Sequence, residues 1–230
     1  MCGQPKNHPN EETRGMAGFS IREYSSRDYH VVRELFAQGM LDYIPGAAMF
    51  LLKVPLVYSL IFTSVITLQL VYRSYLLSLL GFGAYLVGGR CLISVAIRRF
   101  IKRCHNRDLL NIEESYMKKP NSCLWVAESH GRIVGMVGVQ PDPNCDTDMI
   151  MRRMSVSKDQ RRRGIARALC MTVIDFARQR KYQRVTLDTS TIQVHAHKLY
   201  QRMGFRISKV ISSRIGRVVG MTRTFYSYDV

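Results

Sequence analysis

The run Met154-Ser155-Val156-Ser157-Lys158-Asp159-Gln160-Arg161-Arg162-Arg163-Gly164-Ile165-Ala166 passes from an apolar stretch through a basic turn into a helical pattern. A helix N-terminus presents unpaired backbone N–H groups and the positive end of the helix dipole, which makes it a ready anion site. Gly164 lets the backbone approach a ligand, small Ala166 keeps the helix start uncrowded, and Arg161, Arg162 and Arg163 add long-range attraction. A diphosphate fits that description, with the stretch from Arg161 through Ile165 to Ala166 as its cradle. Between Arg152 and Arg184, eleven Lys/Arg stand against two Asp/Glu, part of a formal net charge of +17. Such a charge suits nucleic acid, an anionic membrane surface or a phosphorylated ligand. Only Phe176 and Tyr182 are aromatic within this interval, too few for a base-stacking platform, so no nucleic-acid partner is expected.

Regular elements must position this loop. Ile21 to Tyr24 reads as a strand, followed by a helix from Ser26 to Gly39 with Tyr29, Val32, Leu35 and Phe36 at helical spacing. Asp108 to Met117 has the pattern of a further helix. Cys123 to Glu128 and Ile133 to Val139 flank Ser129-His130-Gly131-Arg132 as a hairpin, and Met149 to Val156 is another apolar run. Ile165, Leu169, Val173, Phe176 and Ala177 then share one helical face. A strand at Val185 to Asp188, a helix near His195 to Met203 and a late strand from Thr224 to Asp229 complete an α/β order around one mixed sheet.

The basic loop resembles the acetyl-CoA loop of the GNAT acetyltransferase superfamily, R/Q-x-x-G-x-G/A after the fourth strand, with Arg161, Gly164 and Ala166 in the fixed positions. Ala196-His197-Lys198-Leu199-Tyr200-Gln201-Arg202-Met203-Gly204-Phe205 resembles the superfamily's A-x-x-L-Y-x-x-x-G-F helix, and the Ile21-Arg22 strand with Asp28 resembles its opening. The resemblance implies a GNAT fold, a mixed and mostly antiparallel sheet flanked by helices, and acetyl-CoA as acetyl donor with no metal. It also implies that a backbone N–H between Met154 and Val156 serves the developing oxyanion and that Tyr200 protonates the CoA thiolate. Gln193 stands where many members have Asn and keeps the amide with a longer reach. The general base stays open among Glu128, Asp148, Asp188, His195 and His197 or a water relay, with Asp188, at a strand end, as the candidate taken forward.

From Val54 to Gly89 the only charged residue is Arg73, in a run of 36 residues. This is too long for one membrane span of about 20 residues and fits two short ones turning at Tyr72-Arg73-Ser74. Lys53 precedes the run, and Arg90, Arg98, Arg99, Lys102 and Arg103 follow it, so both ends are expected on the cytoplasmic side. A helical hairpin buried in a soluble core is the alternative, although neither half has a polar face. A GNAT domain interrupted there, with Trp125-Val126-Ala127-Glu128 and Leu187-Asp188-Thr189, resembles the camello-like N-acetyltransferases. That resemblance implies an endoplasmic reticulum or perinuclear membrane and an amine acceptor: a protein lysine, histone H4, or a small amine such as a cysteine S-conjugate. A catalytically silent acetyl-CoA-binding membrane module is the other reading. The expected division is a flexible leader at 1–20, the first strand and helix at 21–44, the membrane insert at 45–90, a basic linker and helix at 91–119 and the catalytic core at 120–230. The six cysteines, without C-x-x-C or zinc spacing, read as reduced and structural.

Overall fold

A computed structural model describes residues 18–230. The leader expected at 1–20 therefore lies mostly outside the described residues, as does Cys2. A seven-stranded sheet runs in the order β1-β2-β3-β4-β5-β7-β6, formed by β1 (Ser20–Glu23), β2 (Cys123–Ser129), β3 (Arg132–Asp142), β4 (Cys145–Val156), β5 (Arg184–Ser190), β6 (Arg206–Ile211) and β7 (Arg223–Asp229). All neighbours are antiparallel except β4 and β5. The first strand pairs with β2 across more than a hundred residues of chain, so the segment before the apolar insert belongs to the same sheet as the segment after it. Arg22 fixes this closure by donating to both Asp28 oxygens at 2.6 and 3.0 Å and to Glu128 at 2.9 Å.

Two cores form on opposite faces of the sheet. On one, helix α1 (Tyr29–Leu41) buries Val32, Leu35 and Phe36 against Leu124, Val126 and Met136, together with Leu109, Ile112 and Tyr116. On the other lies α5 (Ile165–Gln179), whose buried Ile165, Leu169, Cys170, Val173, Ile174, Phe176 and Ala177 follow the helical period read from the sequence. Full burial of Leu169 or Ile174 contributes about 1.5–3 kcal/mol each by removal of apolar surface from water. Trp125 meets Phe176 edge to face at 4.9 Å beneath it.

The apolar run forms two helices, α3 (Pro55–Tyr72) and α4 (Tyr75–His105), joined where Arg73 adopts φ 45°. The 18 residues of α3 span about 27 Å, close to the thickness of a bilayer's hydrocarbon core. Neither helix is buried in the protein: none of the most apolar window of α3 and only 6% of that of α4 is covered. Among the described residues the pair is therefore not buried in the protein core, unlike the buried hairpin weighed from the sequence. Within the pair, polar side chains turn onto their own backbones: Thr63, Ser64, Thr67 and Ser94 donate to carbonyls four residues back at 2.7–2.9 Å. Gly81 lies so close to Leu68 that an added Cβ would stand 2.9 Å from its Cδ1, a small-residue contact of the kind that lets membrane helices approach.

The stretch Ser26–Leu52 is also long and apolar enough to cross a membrane. It is divided at Asp42-Tyr43 into α1, which belongs to the sheet core, and α2 (Ile44–Leu52), which packs with the end of α4 through Ile44, Ile97 and Ile101. Where a basic linker was expected, α4 continues unbroken to His105. The helix expected over Asp108 to Met117 is instead a series of turns closing in one π-helical turn at Glu113–Met117. Two late elements had no sequence signal: the exposed edge strand β6 and the short helix α7 (Arg214–Val219) that follows α6 (Val194–Arg202).

Candidate active site

The parallel strands β4 and β5 pair only at Asp148–Arg184, Met149–Val185 and Ile150–Thr186, although β4 runs on to Val156 and β5 to Ser190. Beyond Ile150 they splay, leaving a wedge in the middle of the sheet and the β4 edge from Met151 to Val156 without a strand partner on that side. Across β3, Gly138 pairs with Arg152 and Met136 with Ser155, so Arg153 and Met154 together stand opposite Val137. This β-bulge re-aims the backbone of β4 at the opening of the wedge, and Arg153 takes φ 59° within it.

The bulge is held from below. Arg153 Nη2 and Nε donate to the two oxygens of Asp108 at 2.6 and 2.8 Å, Nη1 reaches Cys104 Sγ at 3.0 Å, and the guanidinium lies 5.3 Å from the Phe36 ring centroid. Tyr116 Oη donates to Asp108 at 2.5 Å. Burial pushes the Asp108 carboxyl up, but the Arg153 and Tyr116 hydrogen bonds and the arginine charge outweigh it and hold the group below the ordinary carboxylate range. Cys104 sits in the last turn of α4, so this long apolar helix ends against the bulge.

After β4, Ser157 N–H closes on Val134 O at 2.8 Å and the chain turns through a 3-10 turn at Lys158–Gln160. Arg162 at φ 66° and Gly164 at φ 81° are both left-handed, so successive N–H groups converge at the start of α5. Among the described residues no side chain caps that helix, and its first intrahelical donor is Ala168 N–H to Gly164 O at 3.0 Å, which leaves the Ile165, Ala166 and Arg167 N–H groups without intrahelical acceptors. Space beside Gly164 is open, so glycine is required there by the backbone angle. This donor set suits a diphosphate. Arg162 and Arg163 are exposed at its rim, Arg163 bonded to Gln160 Oε1. The Arg161 guanidinium is turned away from the loop: Nε donates to Val156 O at 3.1 Å and Nη2 to Asp42 at 2.6 Å. An open cleft of about 450 Å³ lies between the end of α1 and this loop, lined by Gln38, Gly39, Asp42, Val156, Lys158 and Arg161 among others.

The opposite lip of the wedge carries Gln193 and Tyr200. Gln193 Oε1 accepts from Thr189 Oγ1 at 2.7 Å and Ser190 N–H at 3.1 Å, which fixes its amide at the end of β5. Tyr200 is buried on α6 between Phe205 and Tyr226, at ring-centroid distances of 5.7 and 5.9 Å. Burial above all, with Cys170, Tyr43 and Asp188 nearby, pushes its phenol well above the usual value, so it is protonated at neutral pH. Tyr43 was missed in the sequence. It stands at the break between α1 and α2, beside Arg161 and within reach of Gln193, and burial raises its phenol as well. Nothing in an apolar run ending at Asp42 marks it, because its place depends on the turn between two helices.

The candidate bases sort themselves by their partners. Asp188 is on the exposed face of β5 with Arg223 at 2.7 Å. Asp148 lies at the closed end of the wedge, paired with Arg184 at 3.1 Å, and Glu128 is held by Arg22. His197 has both ring nitrogens engaged, with Tyr226 Oη at 2.8 Å and Ser190 O at 3.1 Å, while His195 is exposed.

The comparisons with known proteins agree with this geometry. Residues 94–205 match the model of the acetyltransferase (GNAT) family. A "Probable N-acetyltransferase camello" of Xenopus tropicalis is 38% identical over 94% of this chain and 99% of its own length. The chain belongs to the GNAT acetyltransferase family, among its camello-like members. A second relative, "Probable N-acetyltransferase family 8 member 5" of Mus musculus, is 38% identical over 83% of this chain and 85% of its own. The crystal structure of a GNAT-family acetyltransferase from Staphylococcus aureus shares the fold at a TM-score of 0.53, with 18% identity over 92% of this chain and 98% of that one. The GNAT protein described here is thus an acetyl-CoA-dependent acetyltransferase, with the mixed sheet expected of it.

Proposed function

We propose that this GNAT enzyme is anchored in the endoplasmic reticulum membrane by α3 and α4 and transfers acetyl from acetyl-CoA to a primary amine, a protein lysine or a small amine such as a cysteine S-conjugate, on the cytoplasmic side. The observation that carries the site assignment is the wedge: it opens between the bulged end of β4 and the end of β5, with the donor-rich start of α5 at one lip and buried Tyr200 at the other. In this reading the diphosphate rests on the N–H groups from Arg162 to Ala166, and the thioester lies in the wedge between Met154–Val156 and Gln193. The amine nitrogen attacks the carbonyl carbon, a bulge N–H steadies the oxyanion, and the C–S bond breaks. Tyr200 Oη gives the thiolate its proton and is made good by the proton leaving the amine through water. Asp188 serves as base only after release from Arg223, which favours the water route.

The membrane reading is supported by the exposed apolar surface of α3 and α4, their self-satisfied hydroxyls and the basic residues at both borders. Sheet pairing of β1 with β2 requires both ends of the insert to lie on one side, hence an even number of crossings. An endoplasmic reticulum location is supported by the camello-like resemblance. The test is an amine screen with the full chain in proteoliposomes and labelled acetyl-CoA. Label on a lysine peptide or cysteine S-conjugate is the expected result, and hydrolysis of acetyl-CoA with no labelled amine would overturn the acceptor class.

A further inference from the structure

From Thr189 to Tyr228 the chain has no acidic residue, while Arg206, Lys209, Arg214, Arg217 and Arg223 fall inside that interval. The same interval holds the free edge of the sheet. All six residues of β6 are exposed, including Ile207 and Val210, each more than half accessible, and Val218 on α7 is 57% exposed. Edge strands of soluble domains are blunted by charge and keep apolar side chains inward. Here apolar Ile207 and Val210 and basic Arg206 and Lys209 are all exposed on one short edge strand. The position of this edge explains the pattern. Helix α7 contacts α3, and Gly220 lies beside the Phe50 ring, at the base of the apolar hairpin just before α3 begins.

We infer that the β6–α7 edge, residues 206–220, rests on the bilayer surface, with Ile207, Val210 and Val218 at the headgroup–acyl boundary and Arg206, Lys209, Arg214 and Arg217 on anionic lipid headgroups. The inference rests on the membrane-anchored reading above. An interfacial segment combines an apolar face at the acyl boundary with Lys/Arg toward anionic headgroups, and this edge offers both at the level where the hairpin leaves the protein. The edge is tied to the active site: Thr191 N–H and Oγ1 both donate to Thr222 O at 3.1 Å, joining the end of α7 to the turn that carries Gln193. On the other lip, Tyr43 leads directly into α2. Both lips of the wedge therefore adjoin the base of the apolar hairpin.

The test places the photoreactive amino acid benzoylphenylalanine at Val210, Val218, Leu60 or Asp146 of the full chain, reconstituted in phosphatidylcholine vesicles containing tritiated phosphatidylserine. Lipid adducts at Val210, Val218 and Leu60, with none at exposed Asp146 at the start of β4, are expected. Arg214→Glu with Arg217→Glu should lower the Val218 adduct several-fold and leave Leu60 unchanged. Adducts at Leu60 without any at Val210 and Val218 would overturn this inference and leave the anchor standing. Equal labelling at Asp146 would overturn it as non-specific contact. Absence of adducts at Leu60 as well would refute the membrane reading, and this inference with it.

Discussion

Asp108→Ala is the perturbation that tests most sharply how the active-site bulge is held. The Asp108 carboxylate accepts two bonds from Arg153, at 2.6 and 2.8 Å, and one from Tyr116 at 2.5 Å, and the ion-paired side chains are only 17% and 14% exposed. Removing it leaves a guanidinium and a phenol without their acceptor in a largely buried site, at a cost of about 3–5 kcal/mol. Against a folding stability of about 5–15 kcal/mol the protein should still fold. At roughly 2–4 °C per kcal/mol for a chain of this size, the midpoint should fall by about 6–20 °C. Because the same guanidinium belongs to Arg153 at φ 59°, kcat should fall while KM for acetyl-CoA changes little, since the side-chain bonds of Asp108 go to Arg153 and Tyr116 and the diphosphate is assigned to the Gly164 loop. The assay combines thermal unfolding in detergent with steady-state kinetics well below both midpoints. Asp108→Ala with Arg153→Ala should cost less than the sum of the single changes, because the pair is lost once. Strict additivity, or a wild-type midpoint in Asp108→Ala, would refute the argument.

Tyr200→Phe should lower kcat by about 10²-fold at unchanged acetyl-CoA affinity, read by stopped-time kinetics and calorimetry, whereas an unchanged rate reduces Tyr200 to packing. Since burial holds the Tyr200 phenol well above its usual value, the wild-type rate should rise with pH as the amine loses its proton and show no loss up to about pH 10 from this group. Asp108 is depressed in the folded state, so its stabilisation is present above the unfolded carboxylate pKa and is lost as pH falls through the folded value. Acid unfolding should therefore start at higher pH in Arg153→Ala than in wild type. Glycosylation acceptor sites placed beside Arg73 should be modified in microsomes while one at the C-terminus is not, and the reverse pattern would invert the proposed orientation.

What was legible in the sequence was local. Gly164 and its basic turn announce themselves because a strand, a turn and a helix start occur within thirteen residues, and the period of Ile165, Leu169 and Val173 is written in their spacing. The apolar hairpin was equally plain, down to its turn at Arg73. What was not legible depends on distant partners. Asp188 reads as a strand-end carboxylate until Arg223, 35 residues on, is folded against it. Arg161 reads as a phosphate ligand until Asp42 claims it from the end of α1. Asp108 and Arg153 are 45 residues apart and meet only because α4 returns the chain beneath β4. Strand β6 gave no signal because it buries neither face, so the alternation that marks a strand is missing.

The most direct measurement is isothermal calorimetry of acetyl-CoA against the detergent-solubilised full chain and its Gly164→Glu variant. At φ 81° a side chain is strained, and the carboxylate would stand among the N–H groups from Arg162 to Ala166. Saturable one-site binding to the wild type, and none detectable to a variant that keeps the wild-type circular dichroism, is the expected result. Wild-type affinity in Gly164→Glu would contradict the placement of the cofactor at the start of α5.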